Sequence, residues 1–116
     1  MLRPYQKLIA WQEAHELCLW IYQCTEKFPA SEKIGLISQM RRAAVSVCSN
    51  IAEGSRKKSH KEKFRFYETA ICSLEELHYQ CLLSKDLRYM DNVQFTEADG
   101  RISRVSFLTT KLRAAL

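Results

Sequence analysis

Apolar residues recur at intervals of three and four along almost the whole chain, and this period restricts the fold to packed helices. Three glycines and two prolines in 116 residues are too few to punctuate a strand-and-turn architecture. A first helix is expected over 7–27, with Ala10, Ala14, Leu17, Ile21, Cys24 and Phe28 along one face. It stops at "FPAS", where Pro29 lacks an amide donor and Ser31 can cap the next helix. The second is expected over 32–53, carrying Leu36, Met40, Ala43, Val47 and Ile51, with Gly54 as its terminator. Ser59-x-x-Glu62 reads as a capping box opening a third helix over 60–87, with Phe64, Tyr67, Ile71, Leu74, Leu77 and Cys81 facing inward. Asp91-x-x-Gln94 opens a fourth over 92–113, with Phe95, Ala98, Ile102, Val105, Leu108 and Leu112, and Gly100 weakens it by about 1 kcal/mol relative to alanine. Short connections make an all-α, antiparallel up-down-up-down four-helix bundle the simplest arrangement, a single domain over 1–116.

The apolar faces are wider than a lone bundle needs. Trp11, His15, Leu19 and Tyr22 lie outside the first stripe, and Cys72, Tyr79, Leu83 and Leu87 form a second face on the third helix. The second helix is apolar or small over roughly 200° of its circumference. Self-association through Trp11, His15, Leu19, Tyr22, Tyr79 and Leu83 is the expected home for this surplus; a broad stripe wrapped by neighbouring helices is the alternative. Arg41 falls inside the apolar arc beside Ile37, Cys48 and Ala52. A buried guanidinium needs a partner, and Glu76 is the expected one, within or between subunits, unless Arg41 reaches to water.

Catalytic chemistry is harder to find. Five cysteines, odd in number and without a C-x-x-C pair, read as small buried hydrophobes of a reducing compartment. No apolar run approaches the ~18 residues of a membrane span, so a soluble cytoplasmic protein without membrane contact is expected. His15/Cys18 and His78/Cys81 would make a four-ligand zinc site only if the first and third helices faced each other closely. Such pairs are common by chance, and packed cysteines with interfacial histidines account for them. Glu75-x-x-His78 lacks the second such motif and the extra carboxylates of a di-iron bundle. No nucleophile–base set or glycine-rich phosphate loop can be assembled. The expectation is no enzyme, no metal and no cofactor.

Charge is the most localised signal. The formal net charge is +5, and Arg56, Lys57, Lys58, Lys61, Lys63 and Arg65 against the single Glu62 (6 − 1) contain the whole of it. In an up-down-up-down bundle the turn between the second and third helices shares a pole with both termini, adding Arg3, Lys7, Lys111 and Arg113. Lysines in the first turns of a helix oppose the macrodipole, so stability does not favour Lys61 and Lys63 there, whereas phosphate binding would. The competing reading is a solvated turn that keeps the protein soluble.

The blocks W-x-x-A-H-E-L, F-P, G-L-x-S-Q-x-R-R-A-A-V-S and S-N-I-A-E-G resemble the four-helix bundle family of 23S rRNA intervening-sequence proteins over nearly the whole chain. The resemblance implies a bundle assembling into a homopentameric ring, in bacteria, without established enzymatic activity. A related protein is the accessory variability determinant of diversity-generating retroelements, a basic pentamer that binds nucleic acid and a reverse transcriptase. This chain departs from the family at Cys48, where proline is frequent, and at Arg88, where glycine is common. The leading expectation is a non-enzymatic, homo-oligomeric protein that binds nucleic acid, RNA in particular, through phosphate contacts at Arg56, Lys57, Lys58, Lys61, Lys63 and Arg65. The alternative is an adaptor scaffold whose basic pole docks a protein such as a reverse transcriptase or another nucleic-acid enzyme.

Overall fold

The spacing of three and four produces four helices, α1 (Ile9–Thr25), α2 (Leu36–Arg56), α3 (His60–Asp86) and α4 (Asn92–Ala114). Short 3₁₀ turns at Pro4–Lys7 and Ala30–Glu32 precede α1 and α2, and the computed structural model describes all residues, 1–116. Cross-helix contacts fix the directions. Lys63 of α3 reaches Gly54 and Ser55, Ser73 meets Ser46, and Ser84 meets Met40, so α2 and α3 run antiparallel. Glu68–Arg113 and His78–Asp99 do the same for α3 and α4, and Thr25–Arg41 for α1 and α2. Glu13 of α1 faces Arg104 of α4, which closes the square and leaves α1 and α3 diagonal.

Leu17, Ile21, Met40, Val47, Ile51, Leu74, Leu77 and Val105 fill the centre, each 1% exposed or less. Thr25, Ser84 and Thr109 are equally buried and return their hydroxyls to carbonyls four residues earlier, at 2.7–2.8 Å, so no hydroxyl is stranded.

Several ends differ from expectation. Ser31 does not cap α2. Glu32 does, its Oε1 accepting the Leu36 amide at 3.1 Å while Oε2 accepts the Tyr89 hydroxyl at 3.0 Å. One carboxylate thus ties the start of α2 to the α3–α4 turn. Gly54 does not end α2, which continues to Arg56; it is buried where α2 crosses α3, and a Cβ there would lie 2.9 Å from both Phe66 Cβ and Tyr67 Cε1. Close helix approach, not a turn, requires the glycine. Ser59 accepts the Glu62 amide at 3.1 Å without the return bond, whereas Asp91 and Gln94 form the full reciprocal box. Phe64 is 47% exposed rather than in the core, because it sits where α4 is ending and only Arg113 covers its ring.

Arg88 is the one residue with positive φ, at 68°. The amide of Tyr89 bonds the Ser84 carbonyl and that of Arg88 bonds Lys85, the paired pattern that closes a helix through a left-handed residue. The turn keeps the geometry glycine would favour, with arginine in it.

Candidate nucleic-acid interface

The molecule is a rod of 43 × 24 × 23 Å, and one end gathers the charge. Lys57–Ser59 connect α2 to α3 there, the first residues lie alongside, and α4 delivers its last turn. Of four ion pairs in the protein, none uses a cation between Ser55 and Arg65, so that positive charge has no acidic partner. Arg113 is the exception at this pole, paired to Glu68.

The six expected contact residues divide into two sorts. Arg56, Lys58, Lys61 and Arg65 are exposed. Lys63 is half-buried, its ammonium donating to the Ser55 carbonyl at 3.0 Å and the Gly54 carbonyl at 3.4 Å. Those carbonyls end α2, the negative pole of its dipole, so Lys63 acts as a C-terminal cap from the neighbouring helix. This corrects the argument that stability does not favour it. Lys57 is also half-buried, 5.0 Å from the Phe66 ring centroid. Arg3, Tyr5, Glu53, Arg56 and Lys57 line a groove of about 350 Å³ where the N-terminal turn meets the end of α2.

Within the chain, Arg41 and Glu76 do not pair. Arg41 leans toward α1, donating from Nε to Thr25 Oγ1 at 3.0 Å and from a terminal nitrogen to the Tyr22 carbonyl at 3.2 Å, over the Tyr22 ring at 4.6 Å. Arg41 lies on the α1 side of α2, whereas Glu76 borders the α2–α3 side near Gln39 and Arg42 and accepts from Gln80. The wheel placed Arg41 in the apolar arc correctly; neutral oxygens of α1, not a carboxylate, receive it.

The surplus faces are where the period put them. Leu19 and Tyr22 on α1 are 45% and 40% exposed, and Tyr79 and Leu87 on α3 are 60% and 46%. Trp11 and Leu83 are half-buried, and exposed His15 stacks on Trp11 with ring centroids 5.0 Å apart. Trp11 in turn packs edge-on against Tyr5. Sequence reading missed a wide groove of about 610 Å³ beside Tyr22, lined by Lys33, Ile37, Arg41, Arg42 and Val45 and by no acid.

The two His/Cys pairs are not brought together, since α1 and α3 are diagonal; His78 bonds Asp99 at 2.7 Å. Cys18 and Cys48 instead meet across α1 and α2, and the interaction between their thiols lowers the Cys18 pKa and raises that of Cys48. Burial, and after it Cys24, pushes the Cys81 thiol up to about 12.

Geometry and charge together define a helical bundle with one basic pole, where only Arg113 is ion-paired. The chain belongs to the 23S rRNA-intervening sequence protein family, whose model matches residues 6–111. It is also similar to a crystal structure from Bacteroides thetaiotaomicron, described as a protein of unknown function from the S23 ribosomal protein family. The TM-score is 0.81 at 16% identity, covering 90% of this chain and 98% of that one, so the likeness is one of fold. No curated protein matches the chain. No helix is long and apolar enough to cross a membrane.

Proposed function

We propose that this protein is a non-enzymatic, homo-oligomeric nucleic-acid-binding protein, directed at RNA, whose contact surface is the pole carrying Arg56, Lys58, Lys61 and Arg65. The observation that carries the reading is that the six cations between Ser55 and Arg65, whose balance with Glu62 equals the whole formal excess, have no ion-pair partner in the fold. Unpaired lysines and arginines that neutralise phosphates release the cations condensed on the nucleic acid, and no base-reading element is present, so phosphate contacts supply the affinity. Lys57 and Lys63 support the site by holding the α2–α3 junction.

Homo-oligomerisation, with a pentameric ring implied by family resemblance, belongs to the same proposal. The exposed apolar residues of α1 and of α3 lie on diagonal helices, which makes them two different patches. Two different patches suit a heterologous contact, the kind that builds a ring when the rotation between neighbours closes. The α1–α2 patch carries Lys33, Arg41 and Arg42, and the outward face of α3 carries Glu75 and Glu76. The Arg41–Glu76 pairing therefore persists as an inter-subunit proposal. A ring would repeat the basic pole about an axis and multiply phosphate contacts.

Filter binding of RNA at low and high salt tests the reading. The expected result is binding at low salt that falls steeply as salt rises. Absence of binding at low salt, together with capture of an acidic protein surface by the same pole, would favour the adaptor reading instead.

A further inference from the structure

Two phenylalanines at or near the basic pole stand where the core does not need them. Phe64, on α3, is 47% exposed, and Phe107, on α4, is 57% exposed. Phe107 lies about 140–160° around α4 from Val105, Thr109 and Ile102, which face the centre, so it points away from the core. Each ring is attended by cations. Lys111 Nζ lies 5.3 Å from the Phe107 centroid, and Arg104 sits one turn before it on the same face. The Arg113 guanidinium lies 5.6 Å from the Phe64 centroid, with Lys61 one turn before and Arg65 next in sequence. About 9 Å of helix separates Phe107 from Arg113. Phe64 with Arg113 and Phe107 with Lys111 thus form two aromatic–cation clusters, the first at the basic pole and the second about two turns along α4 and some 120° around it.

A duplex offers phosphates to such a surface but hides its bases in the stack. A single strand offers both, and aromatic faces among cations are the usual means of holding it without reading sequence. Resting on the function proposed above, we infer that the occupant is a single-stranded nucleic acid, with unpaired bases stacked on Phe64 and Phe107 while Lys61, Arg65 and Lys111 follow the backbone. The aromatic term does not depend on net charge, so it separates this inference from the general one.

The test uses the full chain with three probes: a 20-nucleotide oligouridylate, its duplex with oligoadenylate, and inorganic polyphosphate. The single strand is expected to bind at least five-fold more tightly than the duplex at about 0.1 M salt. Phe64→Ala and Phe107→Ala are each expected to weaken the single strand five-fold or more and to leave polyphosphate unchanged, while Phe107→Trp retains the preference. An oligodeoxythymidylate arm reports whether the sugar matters and leaves the stacking expectation the same. Equal binding of single strand and duplex, or unchanged single-strand binding by both alanine variants, would overturn stacking while leaving the phosphate reading intact. Binding to none of the three probes would end both. A change in assembly mass on Phe107→Ala would make that ring a subunit contact and overturn its role here.

Discussion

Gly54 and Gly100 both sit inside helices, yet the same substitution should move stability in opposite directions. Alanine at Gly100 meets nothing within 4 Å and should gain about 1 kcal/mol of helix propensity. Alanine at Gly54 gains the same propensity but drives a methyl to 2.9 Å from Phe66 Cβ. Overpacking of this kind costs about 1–3 kcal/mol, so the net effect should be a loss. Chemical denaturation of the two variants checks both signs. Arg88 offers a third case. Its left-handed backbone costs an ordinary residue about 1–2 kcal/mol, so Arg88→Gly should raise the unfolding free energy by roughly 1 kcal/mol. Cys81 gives a pH signature. Its folded pKa, about 12, stands above its unfolded value of 9.0, so its contribution is whole below pH 9 and is lost as pH rises toward 12. The stability difference between the wild type and Cys81→Ala should therefore shrink by about 1.4 kcal/mol per pH unit across that window. A constant difference would contradict the assignment.

Element by element, the period of three and four was enough to read four helices, their order and most of the central residues. It could not read the ends. Between α1 and α2 a 3₁₀ turn occupies Ala30–Glu32, and the cap comes from Glu32, whose other oxygen is held by Tyr89 57 residues away. No local pattern contains that partner. Gly54 carries the same lesson, since a terminator and a close-packing glycine look alike until α3 is in place. Lys63 was legible as a cation of the turn but not as the cap of α2, because the carbonyls it meets belong to the preceding helix. Arg41 was legible as a charge needing company, but the wheel does not say which neighbour provides it. The Asp91–Gln94 box, wholly local, was read correctly, and Asp91→Ala should cost about 1 kcal/mol by thermal melting.

At the scale of the molecule, the two poles differ in how their charges are used. Residues Glu26, Lys27, Glu32, Lys33, Lys85, Asp86, Arg88 and Asp91 mix signs at one end, while at the other the cations outnumber the acids Glu53, Glu62 and Glu68 and those between Ser55 and Arg65 form no ion pair. That asymmetry was visible in the sequence once an antiparallel bundle was assumed; which cations are free came only from the packing. The salt dependence of RNA affinity is the direct measure of the claim. Contacts from Arg56, Lys58, Lys61 and Arg65 to a single strand predict a slope of log affinity against log salt of about −3 per subunit, at −0.7 for each phosphate. Replacing those four residues with glutamate should abolish binding, whereas the same change at Lys27, Lys85 and Arg88 on the far pole should leave both affinity and slope unchanged. A slope near zero, or an affinity that survives the first set of replacements, would contradict the account.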